Sequence, residues 1–382
     1  MSQGRYGIDL LVVGAGIVGA AVAHCAARAG LRVTVIDSGG IAGGATGAGE
    51  GNLLVSDKPP GPELDLALWS VRLWRDLVAG HGDDGWEYRA KGGVVVAADP
   101  VEWCRLQELA VAQRAAGVRV ESVDPLEVEP RLRPGLTGAM FYPQDAQLMP
   151  PVVAAGLLST PSITVRRGVT VTGALTSHRG RMIGVATTDG HYSCGTVVNA
   201  TGARAAEVAA VLGSWLPVTP RRGFVLVTEP VPEVVRHKVY HAGYVDDVAA
   251  DADTAGVSPV IEGTAAGPIL VGASRQAVGF DAGTDVPVLR RLAAAAVDLF
   301  PVLGEVAVLR AYCGFRALTP DHLPIIGPDP VIAGLWHATG HEGAGVGLAA
   351  ATGAMIVASV TGPRCPVDPA PFAPARFRGV DR

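Results

Sequence analysis

The segment IDLLVVGAGIVG, residues 8–19, joins a continuous apolar run to a glycine-rich turn. An apolar run with β-branched members is typical of a parallel strand that is buried on both faces. The alanine-rich residues that follow, to about Arg28, predict a helix, and LRVTVI at 31–36 predicts a second strand. Strand, helix and strand in this order form a βαβ unit, which indicates an α/β architecture.

The glycines of this turn have the spacing G-x-G-x-x-G, at Gly14, Gly16 and Gly19. In a dinucleotide site the first glycine allows a tight turn, the second allows the backbone to approach a pyrophosphate, and the third allows helix and strand to pack closely. The helix N-terminus then offers free N–H groups to the phosphates. Asp37 ends the second predicted strand, where a carboxylate accepts hydrogen bonds from ribose hydroxyls and repels a 2′-phosphate. The motif therefore disfavours NADP and leaves NAD and FAD open.

The composition limits the class of protein. A chain of 382 residues with 49% hydrophobic and 18% charged residues predicts two joined globular domains. The net charge of -5 gives no indication of a nucleic-acid surface or a polybasic membrane anchor. Five scattered cysteines without a C-x-x-C pair argue against a disulfide framework or a zinc site, and they favour a cytoplasmic location. No metal is expected, because no cluster of metal ligands is visible.

Hydrophobic periodicity and turn residues predict the other elements. We expect helices over residues 64–79, 101–116 and 286–300, and a last helix from Gly345 to about Val360. We expect strands at residues 92–97, 218–228 and 268–273. Three further strands are expected within residues 163–200, with the sequences ITVRRGVTV, MIGVATT and TVVNA. Residues 246–258 are interpreted as a polar loop, and the Pro-rich tail after Pro363 as extended chain.

Four further segments point to one family. They are GGATGAGEGN at 43–52, NATG at 199–202, GFRALTPDHLPIIG at 314–327 and GHEGAGVG at 340–347. With these segments, the chain from Asp9 to Gly362 resembles the D-amino-acid-oxidase-like flavoproteins. This family includes glycine oxidase, sarcosine oxidase and the flavin subunits of hydroxyproline dehydrogenase and hydrogen cyanide synthase. LTGAMFYPQDAQLMP at 136–150 is also similar to the family.

The resemblance implies a fold and a domain organisation. The fold class is α/β, with a Rossmann-like FAD-binding domain interleaved with an α+β substrate domain on a mainly antiparallel sheet. The implied FAD-binding domain comprises residues 1–84, 150–213 and 306–382. The implied substrate-binding domain comprises residues 85–149 and 214–305.

The resemblance also selects FAD over NAD, because a nicotinamide enzyme has no need for the C-terminal segments. Some relatives attach the flavin through a cysteine, but the matching position here is Gly314, so non-covalent FAD is expected. The residues implied to bind the cofactor are Gly14, Ala15, Gly16, Ile17, Val18, Gly19, Asp37, Ser38, Gly44, Ala45, Thr46, Gly49, Gly51, Asn52, Val169, Ala200, Thr201, Gly202, Gly314, Arg316, Gly340, His341, Glu342, Gly343, Ala344, Gly345 and Val346.

The implied activity is FAD-dependent oxidation of a small amino or imino acid at a CH–NH or CH–NH2 group. Hydride passes to flavin N5, and the resulting imine is open to hydrolysis. Arg316 is the candidate for the substrate carboxylate, because a planar guanidinium binds a carboxylate through two parallel hydrogen bonds. The other candidate catalytic residues are His341, Glu342 and Glu50, and possible substrate contacts are Tyr240 and Tyr244.

Three functions remain open on the sequence. The first is a self-sufficient amino-acid oxidase or dehydrogenase. The second is the flavin subunit of a larger assembly that passes electrons to a partner. GEGNLLVSDK at 49–58 favours this one, because it resembles the hydroxyproline dehydrogenase and cyanide synthase branch. The third is a non-catalytic flavin-binding protein, against which the intact Arg316 segment argues.

Overall fold

A computed structural model describes residues 7–80, 83–244 and 256–379. In chain order its strands are β1 Ile8–Val13, β2 Val33–Asp37, β3 Asn52–Leu53, β4 Gly93–Ala97, β5 Glu121–Val123, β6 Gly138–Tyr142, β7 Ala146–Gln147, β8 Ile163–Arg167, β9 Val171–Thr176, β10 Met182–Thr187, β11 Gly190–Asn199, β12 Thr219–Thr228, β13 Lys238–His241, β14 Gly256–Gly263, β15 Ile269–Arg275, β16 Val308–Leu318, β17 Ile325–Pro328 and β18 Leu335–Thr339. The helices are α1 Ile17–Arg28, α2 Pro62–Ala79, α3 Pro100–Ala115, α4 Pro125–Val128, α5 Pro150–Leu158, α6 Ala205–Val211, α7 Val286–Leu299 and α8 Gly345–Thr361.

The first large sheet is Rossmann-like, as predicted. Its central strands run in the order β8-β2-β1-β11-β18 and are parallel, and β17 is added antiparallel to β18. Strands β9 and β10 form an antiparallel extension of β11. Val13 pairs with both Ile36 and Asn199, so the carboxyl ends of β1, β2 and β11 meet at one edge. That edge is where a ligand binds in an open α/β sheet.

The second large sheet is mainly antiparallel, as predicted. Its order is β16-β12-β15-β14-β13-β4-β6-β5, and only the β13–β4 pair is parallel among the described strands. The predicted domain boundaries stay a prediction. We note that β16, Val308–Leu318, lies in this second sheet although its residues fall in the segment assigned to the FAD-binding domain.

Helices α1 and α8 pack together against the first sheet. The contact is close because a Cβ at Gly353 would lie 2.6 Å from the carbonyl oxygen of Ala21, so only glycine fits there. Leu10 and Val12 of β1 are fully buried beneath the helices. Within the described residues, no helix combines the length and the apolar character that a membrane span requires.

Three segments differ from the sequence-based expectation. The run predicted as one strand from Ile163 is broken at Gly168, whose φ of +71° turns the chain between β8 and β9. The tail is not extended, since it forms 3-10 turns at Ala370–Phe372 and Pro374–Phe377 that bury both phenylalanines. Of the predicted polar loop, residues 246–255 lie outside the described residues and 256–258 begin β14.

Candidate active site

The glycine turn after β1 is organised by Asp37. Its carboxylate accepts hydrogen bonds from the backbone N–H of Ala15 and of Gly39, both at 2.7 Å. The Thr46 hydroxyl accepts a hydrogen bond from the N–H of Ile17 at 3.0 Å, at the start of α1. The backbone N–H of Val169 donates to the carbonyl of Asp37 at 2.9 Å. Predicted contacts that are far apart in sequence therefore meet at this turn.

The glycines of the turn leave no room for side chains. Gly14 has a φ of +112°, and a Cβ on it would lie 2.5 Å from the carbonyl oxygen of Ala200. A Cβ on Gly19 would lie 2.0 Å from the carbonyl oxygen of Gly14. Thr201 follows Ala200, and its hydroxyl donates to Asn199 at 2.7 Å. The backbones of two neighbouring strand ends are thus in contact, which positions the start of α1 over the sheet edge.

The loop at 43–52 runs from this turn to the second sheet. A Cβ on Gly51 would lie 1.8 Å from the carbonyl oxygen of Leu148, and a Cβ on Gly314 would lie 2.8 Å from Cβ of Ala48. The carbonyl of Gly49 accepts a hydrogen bond of 3.5 Å from the Tyr312 hydroxyl. The loop is therefore held between Leu148, which lies just before α5, and β16, and small residues allow that fit.

The start of α8 lies beside both the loop and Arg316. A Cβ on Gly347 would be 3.4 Å from the Asn52 carbonyl oxygen, and one on Gly343 would be 3.7 Å from Nε of Arg316. Arg316 is half-buried, and its Nη1 donates to the Ser274 carbonyl at 2.8 Å. Burial and the neighbouring charge of Arg275 lower the pKa of Arg316 from its ordinary value. The helix dipole and a cation therefore converge at one place, where anionic groups are stabilised.

A buried ionic cluster adjoins the loop. Lys238 forms an ion pair with Glu262, and its Nζ lies 4.0 Å from Oε1 of Glu50. Oε1 of Glu50 has no hydrogen-bond partner among the described residues, and Oε2 accepts a hydrogen bond from Asn52 at 3.4 Å. Burial raises the pKa of Glu50 to about 7, although the charge of Lys238 opposes this rise. Glu50 can therefore change its protonation state near neutral pH.

His341 and Glu342 have partners of their own. Nε2 of His341 lies 2.9 Å from the Thr352 hydroxyl, and burial lowers the pKa of its imidazole to about 3. The Glu342 carboxylate lies 2.8 Å from Nδ1 of His322 and 3.7 Å from Nη1 of Arg221. Burial nevertheless raises the pKa of Glu342. His341 is thus a neutral group that anchors α8, and Glu342 belongs to a charged cluster beside it.

The two predicted tyrosine contacts differ. Tyr240 is fully buried, and its hydroxyl donates to Ser56 at 2.5 Å within the protein core. Tyr244 packs against it, with ring centroids 5.1 Å apart, and carries the guanidinium of Arg275 4.8 Å from its ring centroid. The charges of Arg275 and Arg316 both act on the pKa of Tyr244, which burial raises. Only Tyr244 therefore adjoins the charged groups around Arg316.

Sequence reasoning missed Lys238, Glu262 and Arg275. No motif marks them, because they lie on separate strands of the second sheet and approach the loop only through the fold. The available signal is a charged residue inside an apolar strand, as in SPVIEG and ILVGASR. Charged side chains are almost never fully buried unless they are paired, so such positions are candidates for a site.

The residues present fit FAD. The turn at Gly14 and Gly16, the carboxylate of Asp37 and the N-terminus of α1 suit a nucleotide and its pyrophosphate. The glycine loop and the start of α8 would hold the flavin, since Gly314 allows the loop to approach β16 at Ala48 and Gly343 lies beside Arg316. Ser38, Gly44, Ala45, Gly202, Gly340, Ala344, Gly345 and Val346 remain predicted contacts in the same segments.

A family model described as FAD dependent oxidoreductase (DAO) matches residues 9–359. This chain belongs to that family. The flavoprotein is 28% identical to hydrogen cyanide synthase subunit HcnC of Pseudomonas aeruginosa, over 97% of this chain and 96% of that relative. It is 29% identical to glycine oxidase of Pseudomonas putida, over 96% of this chain and 98% of the relative. Its fold is similar to the crystal structure of glycine oxidase from Geobacillus kaustophilus, with a TM-score of 0.86, 26% identity and coverage of 96% and 98%. The predicted family, enzyme class and FAD cofactor are thereby confirmed.

Proposed function

We propose that this flavoprotein oxidises the carbon–nitrogen bond of a small amino or imino acid. The observation that carries the proposal is the half-buried guanidinium of Arg316 beside the start of α8. Glu50, whose Oε1 has no hydrogen-bond partner among the described residues, is close enough to act on the pKa of Arg316. This arrangement offers a cation to a carboxylate and a titratable oxygen to an amine. Relatives named glycine oxidase and D-amino acid dehydrogenase support the same substrate class.

The chain's own residues have distinct roles in this reaction. Arg316 binds the substrate carboxylate and so orients the carbon that is oxidised. Glu50 accepts a proton from the substrate nitrogen at Oε1. FAD, when bound, supplies the two-electron acceptor for the oxidation. The substrate loses a hydride equivalent from carbon and a proton from nitrogen and leaves as an imine, which water converts to a carbonyl compound and an amine.

Anaerobic bleaching of the flavin tests the proposal directly. A panel of D-, L- and N-methyl amino acids is mixed with the oxidised holoenzyme under argon, and absorbance near the flavin maximum is followed. We expect some members to bleach the flavin completely. If no amine or imino acid bleaches a flavin that dithionite reduces normally, the third function, a non-catalytic flavin-binding protein, is the correct one.

The pH dependence of flavin reduction tests Glu50. Because its pKa is about 7, its carboxyl group is neutral below this pH and ionised above it. We expect the ratio of wild-type to Glu50→Gln reduction rates to rise about tenfold between pH 6 and pH 8, because the Glu50 carboxylate that acts as the base forms over this range. Taking the ratio cancels the ionisation of the substrate's own amine. Stopped-flow reduction at subsaturating substrate provides the rates.

Glu63→Gln is the matched control for this experiment. Burial also raises the pKa of Glu63 to about 7, but this residue lies in the first turn of α2. The ratio of wild type to Glu63→Gln should stay constant over the same pH range. A constant ratio for Glu50→Gln as well would remove Glu50 from the proton transfer.

Non-covalent attachment of FAD is a separate prediction. Gly314 faces Ala48 of the loop, whereas Sγ of Cys313 lies 3.7 Å from the carbonyl of Ala282, as successive residues of a strand point to opposite faces. Precipitation of the holoenzyme with acid should therefore release all of the yellow colour into the supernatant. Colour that stays in the pellet, and that is lost in Cys313→Ser, would show a covalent link instead.

Electron transfer to a partner protein is the second candidate function. It is favoured by the relative named as a subunit of hydrogen cyanide synthase. The segment at 49–58 that resembles this branch is largely internal here, with Ser56 and Lys58 buried, so a partner would bind elsewhere. The five cysteines are scattered, so an iron–sulfur cluster in such an assembly would come from another chain.

Reoxidation kinetics distinguish the two candidates. A flavin subunit of an assembly should be reoxidised slowly by oxygen and rapidly by a phenazine dye, because the dye replaces the partner. Reduced holoenzyme is mixed with air-saturated buffer or with the dye in a stopped-flow instrument. Reoxidation by oxygen that is faster than turnover would show a self-sufficient oxidase.

A further inference from the structure

Arg275 is a buried cation for which the proposed reaction so far has no role. It ends β15, and only 4% of its surface is exposed. Its Nη1 atom has no hydrogen-bond partner within the described part of the chain, and no described carboxylate forms an ion pair with it. Its guanidinium carbon lies 4.8 Å from the centroid of the Tyr244 ring.

Arg222 on the adjacent β12 shows what a satisfied arginine looks like at the same burial. It is also 4% exposed, but its guanidinium donates to Gln276 and to Asp281, and lies 3.8 Å from the carboxylate of Asp285. A buried charge without a partner lowers the free energy of unfolding, and an opposite charge beside it removes this loss. The contrast indicates that Arg275 is held in place for an anion that the described part of the chain does not supply.

Arg275 and Arg316 both contribute positive charge beside Tyr244. Nη1 of Arg316 donates to the carbonyl of Ser274, the residue directly before Arg275. The charge of Arg275 lowers the pKa of Arg316, and both cations act on Tyr244. Since like charges repel, two buried guanidinium groups that influence each other are stabilised by negative charge between or beside them.

The surrounding acids do not supply enough of that charge. Lys238 neutralises Glu262, and the Glu342 carboxylate, which also acts on Arg316, is already paired with Arg221 and His322. Glu50 is the remaining acid that acts on Arg316, and it has its own role at the substrate nitrogen. A substrate with a single carboxylate would therefore leave one guanidinium uncompensated.

We propose that the substrate of this enzyme carries two carboxylates, of which Arg316 binds the one next to the reacting carbon and Arg275 binds the other. The inference rests on the proposed function and narrows its substrate class. The second carboxylate stands either on the side chain of an acidic amino acid or on the nitrogen substituent of an imino diacid. The Arg275 guanidinium can bind either carboxylate through two parallel hydrogen bonds, because both are the same planar group.

Binding of acids that cannot be oxidised tests the inference independently of the reaction. The holoenzyme is titrated with succinate and glutarate, and with butyrate as a monocarboxylate of similar size, and the perturbation of the flavin spectrum gives each dissociation constant. We expect succinate or glutarate to bind more tightly than butyrate. In Arg275→Met this preference should fall by about 30-fold or more, as for loss of a buried charge partner.

Two results would overturn the inference. One is a wild-type enzyme that does not prefer the dicarboxylates. The other is an Arg275→Met variant that loses affinity for butyrate and succinate by the same factor, which would make Arg275 a general structural residue. Neither result depends on whether amines are oxidised, so the proposed function can fail or hold separately.

Flavin reduction then identifies the position of the second carboxylate. Aspartate and glutamate of both configurations are compared with N-carboxymethyl amino acids, and with alanine and sarcosine as monocarboxylate controls. One dicarboxylate class should reduce the flavin with the highest kcat/KM, and Arg275→Met should remove that advantage. If only the monocarboxylates are oxidised, the proposed function stands and this inference is wrong.

Stability provides a matched control. Among the described residues Nη1 of Arg275 has no hydrogen-bond partner, whereas the Arg222 guanidinium has several partners. Arg275→Met should therefore raise the midpoint of thermal unfolding of the ligand-free holoenzyme by roughly a few °C, and Arg222→Met should lower it. Succinate should raise the midpoint of the wild type more than that of Arg275→Met. A lower midpoint for Arg275→Met in the absence of ligand would show that this arginine stabilises the fold and is not reserved for an anion.

Discussion

Replacement of Arg316 by leucine should abolish most substrate reduction while the protein keeps its FAD. The guanidinium is half-buried, and Gly223 leaves the space that it occupies, since a Cβ there would lie 2.1 Å from Nη1. Loss of a buried, hydrogen-bonded charge pair with a substrate carboxylate costs about 2–5 kcal/mol, or about 30-fold to several thousand-fold. Stopped-flow reduction under anaerobic conditions measures this loss as kcat/KM.

Arg310→Leu is the matched control, because Arg310 is an exposed arginine on the same strand. It should reduce substrate at close to the wild-type rate. The flavin spectrum reports whether each variant retains its cofactor, which separates loss of binding of FAD from loss of chemistry. Near-normal reduction by Arg316→Leu would refute the assignment of Arg316 as the carboxylate anchor.

Replacement of Lys238 by methionine should lower the free energy of unfolding more than the substitutions of Arg275 and Arg222 do. Lys238 is 1% exposed and pairs with Glu262, with Glu50 4.0 Å away. Removing one member of a buried ion pair leaves an uncompensated charge and costs about 3–5 kcal/mol. Urea unfolding of the holoenzyme, followed by tryptophan fluorescence, measures the change in the free energy of unfolding.

The pH dependence of that loss has a defined sign. Burial raises the pKa of Glu50 to about 7, so stability from its neutral form is present at low pH and is lost as the pH rises through 7. Without Lys238 the Glu50 carboxyl group loses the cation that most strongly opposes the rise of its pKa, so its neutral form is favoured further. Lys238→Met should therefore destabilise the protein less at pH 5 than at pH 8. At pH 8 we expect the full loss of about 3–5 kcal/mol in the free energy of unfolding that follows from breaking a buried pair.

A double variant provides the control for this interpretation. Lys238→Met combined with Glu262→Leu replaces both charges by apolar groups, and such a replacement is often close to neutral in stability. The double variant should therefore recover part of the loss at pH 8, although it forfeits the hydrogen bond from the N–H of Gly51 to Glu262. If the double variant instead loses as much free energy of unfolding as the two single variants together, Lys238 and Glu262 do not stabilise each other.

The sequence by itself determined the nucleotide half of this protein. Gly14, Gly16, Gly19 and Asp37 lie within one βαβ unit, and their predicted roles follow from local geometry that a spacing pattern records. The segment around Arg316 and the start of α8 could also be identified, because each is a contiguous motif. Such motifs are readable because the backbone conformation they require is set by neighbours along the chain.

Only the tertiary structure decided the substrate half. Arg275, Lys238 and Glu262 come from three strands of a mainly antiparallel sheet, and the register of that sheet brings them to the loop that carries Glu50. Whether a buried charge is paired, as in Arg222, or unpaired, as Nη1 of Arg275 is among the described residues, depends on contacts between distant segments. A sequence pattern records no such contacts, because burial and pairing arise when the sheets pack and not from the order of residues along one strand.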